Sequence, residues 1–140
     1  MFMKRALLVT GSRNLRPRQM DALEEWLLAE VAAHRITHLL HGGARGADLV
    51  AGFVAHLAGL EELEFEPDYD RYGPGAPFRR NEAMVRQARP LGARVIAWQP
   101  NGPTSGTQDT VRRAIAYGLP VDEYRRGAWI RHRPTQLALL

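Results

Sequence analysis

The amino-acid sequence predicts an α/β fold: a three-layer sandwich on a mostly parallel five-stranded sheet of strand order 3-2-1-4-5. Three observations carry that expectation. Short apolar runs alternate with longer segments whose apolar residues recur at helical spacing. Glycine and proline mark most of the junctions between them. The 140 residues suffice for one sizeable core and contain neither an internal repeat nor a linker.

The elements follow in order. RALLVT (5–10) is a short apolar run closed by Gly11, the pattern of a buried strand. Pro17 opens a helix whose apolar positions include Leu23, Leu27 and Val31. ITHLL (36–40) is the second strand, followed by a second helix over 47–58 with Leu49, Val50, Phe53, Val54 and Leu57 as its expected apolar face. LEELEF (60–65) alternates like a third strand nearer an edge, and EPDYDRYGPGAP reads as a loop. A third helix (78–88), a fourth strand (94–98), a fourth helix (107–117) and a fifth strand (119–124) complete the pattern. Residues 1–124 thus form one domain, and 125–140 a basic C-terminal extension to which no element is assigned.

Strands and helices alternating at this spacing require right-handed crossovers and a sheet covered on both faces. The strand order reverses between the first and fourth strands, and ligands of such sheets bind beyond the carboxyl ends at that reversal. The three polar, glycine-bearing loops follow strands one, two and four: GSRN, HGGARGAD and QPNGPTSGT. They are therefore expected on one edge. This is a Rossmann-like arrangement, and its loops have the chemistry of an anion site. Glycine lets a ligand approach the main chain, and successive N–H groups beside a helix start form an anion nest. Gly11, Ser12 and Arg13 in the first loop, Gly42, Gly43, Arg45 and Gly46 in the second, and Ser105, Gly106 and Thr107 in the last are the candidate phosphate contacts. Asp48 falls in a first helical turn, where its charge favours the helix dipole by ~0.3–1 kcal/mol. Arg79 and Arg80, beside Asn81 and Glu82, oppose the dipole of theirs, a conflict that a bound phosphate would remove.

Composition narrows the classes. Hydrophobic residues at 45% and charged residues at 24% are ordinary for a globular domain. The absence of cysteine excludes disulfides, thiolate metal sites and a thiol nucleophile. His34 and His38 have a strand start between them and suggest no metal cage, so no metal and no cofactor is expected. No apolar run approaches the ~20 residues that span a bilayer, and the N-terminus lacks the layout of a signal peptide. A cytoplasmic protein without membrane contact is expected. The formal charge of +4 is carried almost wholly by arginine, whose planar fork suits phosphate.

Taken together, GSR, HGGARGAD, YGPGAPFRRNEAM and SGTQDTVRRA resemble the SLOG superfamily of Rossmann-like proteins. That superfamily links the DNA-processing protein A family with the Lonely Guy phosphoribohydrolases. The likeness, over residues 5–124, is to the small bacterial and phage branch called the YspA/cpYpsA-related SLOG domain. It implies a nucleotide-derived ligand and a habit of forming dimers. The Lonely Guy enzymes split the N-glycosidic bond of nucleoside monophosphates with an arginine four residues before a methionine, the position of Arg80 before Met84. Their GGxGTxxE loop is matched at Gly106 and Thr107, but Thr110 stands in the glutamate position and Pro103-Thr104-Ser105 replaces glycines. Asp109 is shifted by one residue, a ~100° rotation on a helix. The branch carries a tryptophan where this chain has Tyr69, an aromatic surface for stacking on a base.

The first functional reading is a nucleotide-binding protein, a sensor or carrier, with its phosphate held at the switch point. The alternative is a nucleoside 5′-monophosphate N-glycosidase, with Arg80 and Asp109 as catalytic candidates and Asp48 or Glu82 as other carboxylates. A third reading is single-stranded DNA binding through Arg45, Arg79 and the basic tail. A homo-oligomer is expected from apolar positions in the tail and from the family habit.

Overall fold

The computed structural model describes residues 3–134; the apolar end of the tail, 135–140, lies outside the described residues. A single sheet runs in the order β3-β2-β1-β4-β5-β6. Its strands are β1 (Ala6–Gly11), β2 (His38–His41), β3 (Glu61–Glu64), β4 (Arg94–Gln99), β5 (Val121–Arg125) and β6 (Ala128–His132). The first five are parallel in the expected order. Leu7 and Val9 of β1 point to one face and Leu8 to the other, so the central strand is apolar on both sides.

Helices α1 (Pro17–His34) and α2 (Ala47–Leu57) cover the first face, where Leu23, Leu27, Val50 and Val54 meet Leu7, Val9, Leu39 and Ile96. Helices α4 (Ala76–Ala88) and α5 (Ser105–Ala116) cover the second, packing Met84, Val85 and Val111 on Leu8, Leu40 and Val95. The segment expected as a plain loop before α4 holds a short helix, α3 (Tyr69–Tyr72), and a 3-10 turn, Gly73–Gly75. Asp68 caps α3 by accepting the Arg71 N–H at 3.1 Å.

Two expectations are corrected. The apolar face of α2 is divided: Val50 and Val54 are buried with Ala47, Ala51 and Ala55, while Leu49, Phe53 and Leu57 are 63%, 52% and 59% exposed. The helix approaches β1 closely at its start, where Ala47 Cβ would lie 2.7 Å from a Cβ at Gly11. The second correction concerns the start of the C-terminal extension. Arg126 and Gly127, both at positive φ (46° and 86°), form a two-residue turn of the kind that joins twisted antiparallel strands. The chain then returns as β6 against β5. Trp129 of β6 lies 4.8 Å from Trp26 and 5.3 Å from Tyr124 between ring centroids, and Tyr124 stacks on Trp98 at 4.2 Å. Tryptophan in the tail is thus part of a four-ring cluster.

No helix among the described residues is long and apolar enough to cross a membrane.

Candidate functional site

Strands β1, β2 and β4 end on one edge, and their loops are joined there by main-chain bonds. Ser12 is the junction. Its N–H donates to Trp98 O at 2.9 Å, and its carbonyl accepts the Ala47 N–H at 3.0 Å. This closeness dictates glycine at position 46: φ is +76°, and a Cβ there would collide with the Ser12 carbonyl and lie 2.7 Å from that of Arg13. Gly11 is equally constrained, since a Cβ would meet Trp98 O and lie 2.7 Å from Ala47 Cβ.

The joined loops enclose a cavity of about 550 Å³, within the usual range for small-molecule sites. From the first loop Gly11, Ser12 and Arg13 line it; from α2, Asp48; from α4, Arg80 and Asn81; and from α5, Ser105, Gly106 and Thr107. A second hollow of about 320 Å³ adjoins it, lined by Gly42, Gly43, Arg45, Pro67 and Tyr69. Arg13, Ala44 and Arg80 line both and form the divide between them. Thirteen of the fourteen expected ligand contacts line one hollow or the other; Gly46 lines neither, because its Cα is packed against the Ser12 and Arg13 carbonyls.

Several features of the larger cavity suit an anion. The Ser12 Oγ is buried without a hydrogen-bond partner, at a residue only 4% exposed. A buried hydroxyl left unpaired costs about 1–3 kcal/mol, which a ligand oxygen would recover. At α5, Thr104 occupies the N-cap position but its hydroxyl bonds Thr107 Oγ1 at 3.0 Å rather than a main-chain N–H. The amides of the first turn keep their donors and the positive end of the helix dipole. The Thr104 N–H is fixed from below by Gln99 Oε1 at 2.8 Å, and the fully buried Gln99 donates to Glu123 Oε1 at 3.3 Å. Burial works to raise Glu123, but bonds from Gln108, His132 and Arg125 together hold its carboxyl below the ordinary value.

Arg80 turns inward and donates to the carbonyls of Gly42 and, at 3.3 Å, of Phe65, with Nε on Asn81 Oδ1 at 2.9 Å. Its conflict with the helix dipole is thus met in part by carbonyls of the strand edge. Burial first, and the like charge of Arg13, lower its pKa, with Asp48 opposing. Asp48, 7% exposed, accepts the Ala44 N–H at 3.3 Å. Burial raises its carboxyl above the ordinary value against the pull of Ala44, His41, Arg80 and Gly42.

The carboxylate expected at Asp109 is placed elsewhere. It lines neither hollow; it lies under the floor, 6% exposed, accepting from Asn81 Nδ2 at 3.0 Å and Arg113 Nε at 2.8 Å. Glu82 is engaged with Tyr117 at 2.5 Å and with Arg113 at 2.8 Å. Asp48 is the one acidic side chain on the cavity wall among the described residues. His41 is a structural strand-end residue, bonded to Glu62 at 2.8 Å and to the Gly43 N–H at 3.0 Å. Cations invoked for DNA binding each have a contact within the chain. Arg45 bonds Asn14 at 2.8 Å, Arg79 stacks over Tyr72, and Arg131 and Arg133 pair with Asp122 at 3.2 and 2.8 Å.

Sequence reading missed Asn14 and Asn101, which join the first and last loops. Asn101 donates to the Asn14 carbonyl at 3.4 Å and accepts from Gln19 at 2.8 Å. Both line the larger cavity, and asparagine in the first and last glycine-bearing loops was the available signal. Phe78 and Pro77, which form part of its wall, carried none.

Comparison with known proteins gives a relative of the same size. The "Gene 61 protein" of Mycobacterium phage D29 is 35% identical over 127 residues, covering 84% of this chain and 94% of that protein. The chain belongs to the gene 61 protein family. No family model matches it. The fold of this chain is similar to that of the X-ray structure of TM1055, at a TM-score of 0.63 and 22% identity over 85% of this chain and 72% of that one. The match shows a shared α/β fold, in keeping with the Rossmann-like arrangement expected from the sequence. DNA processing protein A of Streptococcus pneumoniae aligns with a TM-score of 0.44 at 18% identity over 86% of this chain and 58% of that one, too slight a match to show a common fold.

Proposed function

We propose that the protein is a nucleotide-binding domain that holds a phosphate of its ligand at the rim between β1 and β4 and acts as a sensor or carrier. The observation that carries this reading is the buried, unpartnered Ser12 Oγ on the wall of a cavity that also receives the uncapped first turn of α5 and the Arg80 side chain. A phosphate supplies acceptors for all three. Asp48 and Asn81 stand nearby for sugar hydroxyls, and Tyr69, 55% exposed, offers a ring for a base at the mouth of the smaller hollow. Thermal melts with AMP, GMP, CMP, UMP and the corresponding nucleosides test it. At least one nucleotide raises Tm while its nucleoside does not; at a hundredfold excess over Kd the stabilisation is about 2.7 kcal/mol of unfolding free energy. Equal shifts from nucleoside and nucleotide, or none from any nucleotide, would sink the reading.

A second reading, N-glycosidic hydrolysis of a nucleoside monophosphate, is favoured by the raised Asp48 carboxyl on the same wall as Arg80. Asp48 would then serve as the proton-handling carboxyl in place of the family glutamate. Free base released from AMP, and lost in Asp48→Asn, would establish it.

A further inference from the structure

The smaller hollow, of which the nucleotide reading uses only Tyr69 at the mouth, differs from the larger one in its charge. Three guanidinium side chains, Arg13, Arg45 and Arg80, line it, and no acidic side chain does. Arg45 is aimed by its bond to Asn14 Oδ1 at 2.8 Å, which ties it to the loop bearing Arg13. Arg80 is anchored through Nη1 and Nε, so that Nη2 has no protein partner among the described residues. Arg13 bears on Arg80 as a like charge, which Asp48 on the larger cavity's side opposes. Three cations converging on one concave surface repel one another until an anion sits between them, and guanidinium forks match the oxygens of a phosphate. Two of the three also line the larger cavity, whose own anion donors are Ser12 and the first turn of α5.

We infer that the site is built for a ligand with two phosphate groups, one in each hollow, bridged across the Arg13–Arg80 divide, with Arg45 selecting for the second phosphate. This rests on the nucleotide reading for the first phosphate but makes a separate claim: a nucleoside monophosphate, with its base on Tyr69, leaves the arginines of the smaller hollow without an anion. Asp48 contributes to the division, because its carboxylate beside Arg80 disfavours crowding both anions into the larger cavity.

Calorimetric titrations with AMP, ADP, adenosine 3′,5′-bisphosphate and inorganic pyrophosphate test the inference on the wild type and on Arg45→Gln, whose amide can still donate to Asn14. Melting curves confirm that the variant is folded. At least one of the two bisphosphorylated nucleotides binds about tenfold or more tightly than AMP, and Arg45→Gln removes that advantage by weakening the bisphosphorylated nucleotide about tenfold more than it weakens AMP. Equal affinity for AMP and both bisphosphorylated nucleotides, or an Arg45→Gln loss that is the same for AMP, overturns the two-phosphate site and leaves the nucleotide reading intact. Pyrophosphate binding that depends on Arg45, without binding of any nucleotide, keeps the two-anion site and removes the nucleotide reading. Absence of binding by all four probes removes both. A short single-stranded oligonucleotide that binds more tightly than every mononucleotide overturns the assignment to a free small molecule.

Discussion

The Ser12 carbonyl accepts the Ala47 N–H at 3.0 Å, so the loop after β1 and the start of α2 are bonded through main chain alone. Gly46, immediately before Ala47, has no alternative residue at that separation. Gly46→Ala is expected to lower unfolding free energy by about 2–3 kcal/mol through clash and left-handed strain, measured by urea denaturation. Gly106, by contrast, has nothing within 4 Å of where a Cβ would stand. Gly106→Ala should keep or slightly raise stability and weaken nucleotide binding by intruding on the cavity.

Arg80 serves fold and ligand at once. Arg80→Ala strips hydrogen bonds from the Gly42 and Phe65 carbonyls and from Asn81. It should cost about 1.5–3 kcal/mol of stability and abolish nucleotide-induced stabilisation. Urea titration with and without ligand separates the two effects.

The Asp48 carboxyl is raised by burial, so the folded state holds its proton more tightly than the unfolded chain does. Its stability contribution is therefore full below the ordinary aspartate value, about pH 4, and is lost as pH rises through the raised folded value. Asp48→Asn should match the wild type near that acid limit and exceed it in melting temperature at neutral pH. A difference independent of pH would place the carboxyl at its ordinary value.

Asp109 is a support for the floor. Asp109→Ala leaves Asn81 Nδ2 and Arg113 Nε without their acceptor, and is expected to cost about 2–3 kcal/mol. Any loss of ligand affinity should follow from the displaced Asn81, and Asn81→Ala should reproduce it in calorimetry.

Much of this fold could be read from the sequence because the strands of a doubly covered sheet are short apolar runs. RALLVT and RVIAW admit little else, and the parallel order follows from the helices between them. The edge on which the loops gather followed from the same logic. Hydrophobicity alone misassigned α2, where Leu49, Phe53 and Leu57 are more apolar than Ala51 and Ala55 yet face outward. Interior volume chose the small residues, and volume is a property of the neighbours. Strand β6 was hidden because AWIRH alternates poorly and its partners, Trp26 and Tyr124, lie far away in sequence or on another strand. The carboxylate of the cavity was misplaced for a related reason. Asp109 was nearest the family position in sequence, but one residue of rotation turns it toward Asn81 and Arg113, while Asp48 was already on the wall.

The final hairpin has a practical consequence for anyone trimming the chain. Ending it at Gly127 would bare the Trp26 and Tyr124 rings and take His132, 2.5 Å away, from the Glu123 carboxylate. Through Gln99, that same carboxylate holds the ledge on which Thr104 rests. A shortened version lacking β6 should be sticky and should also lose its hold on small molecules at the carboxyl edge of the sheet, so the minimal folding unit must include the strand through His132.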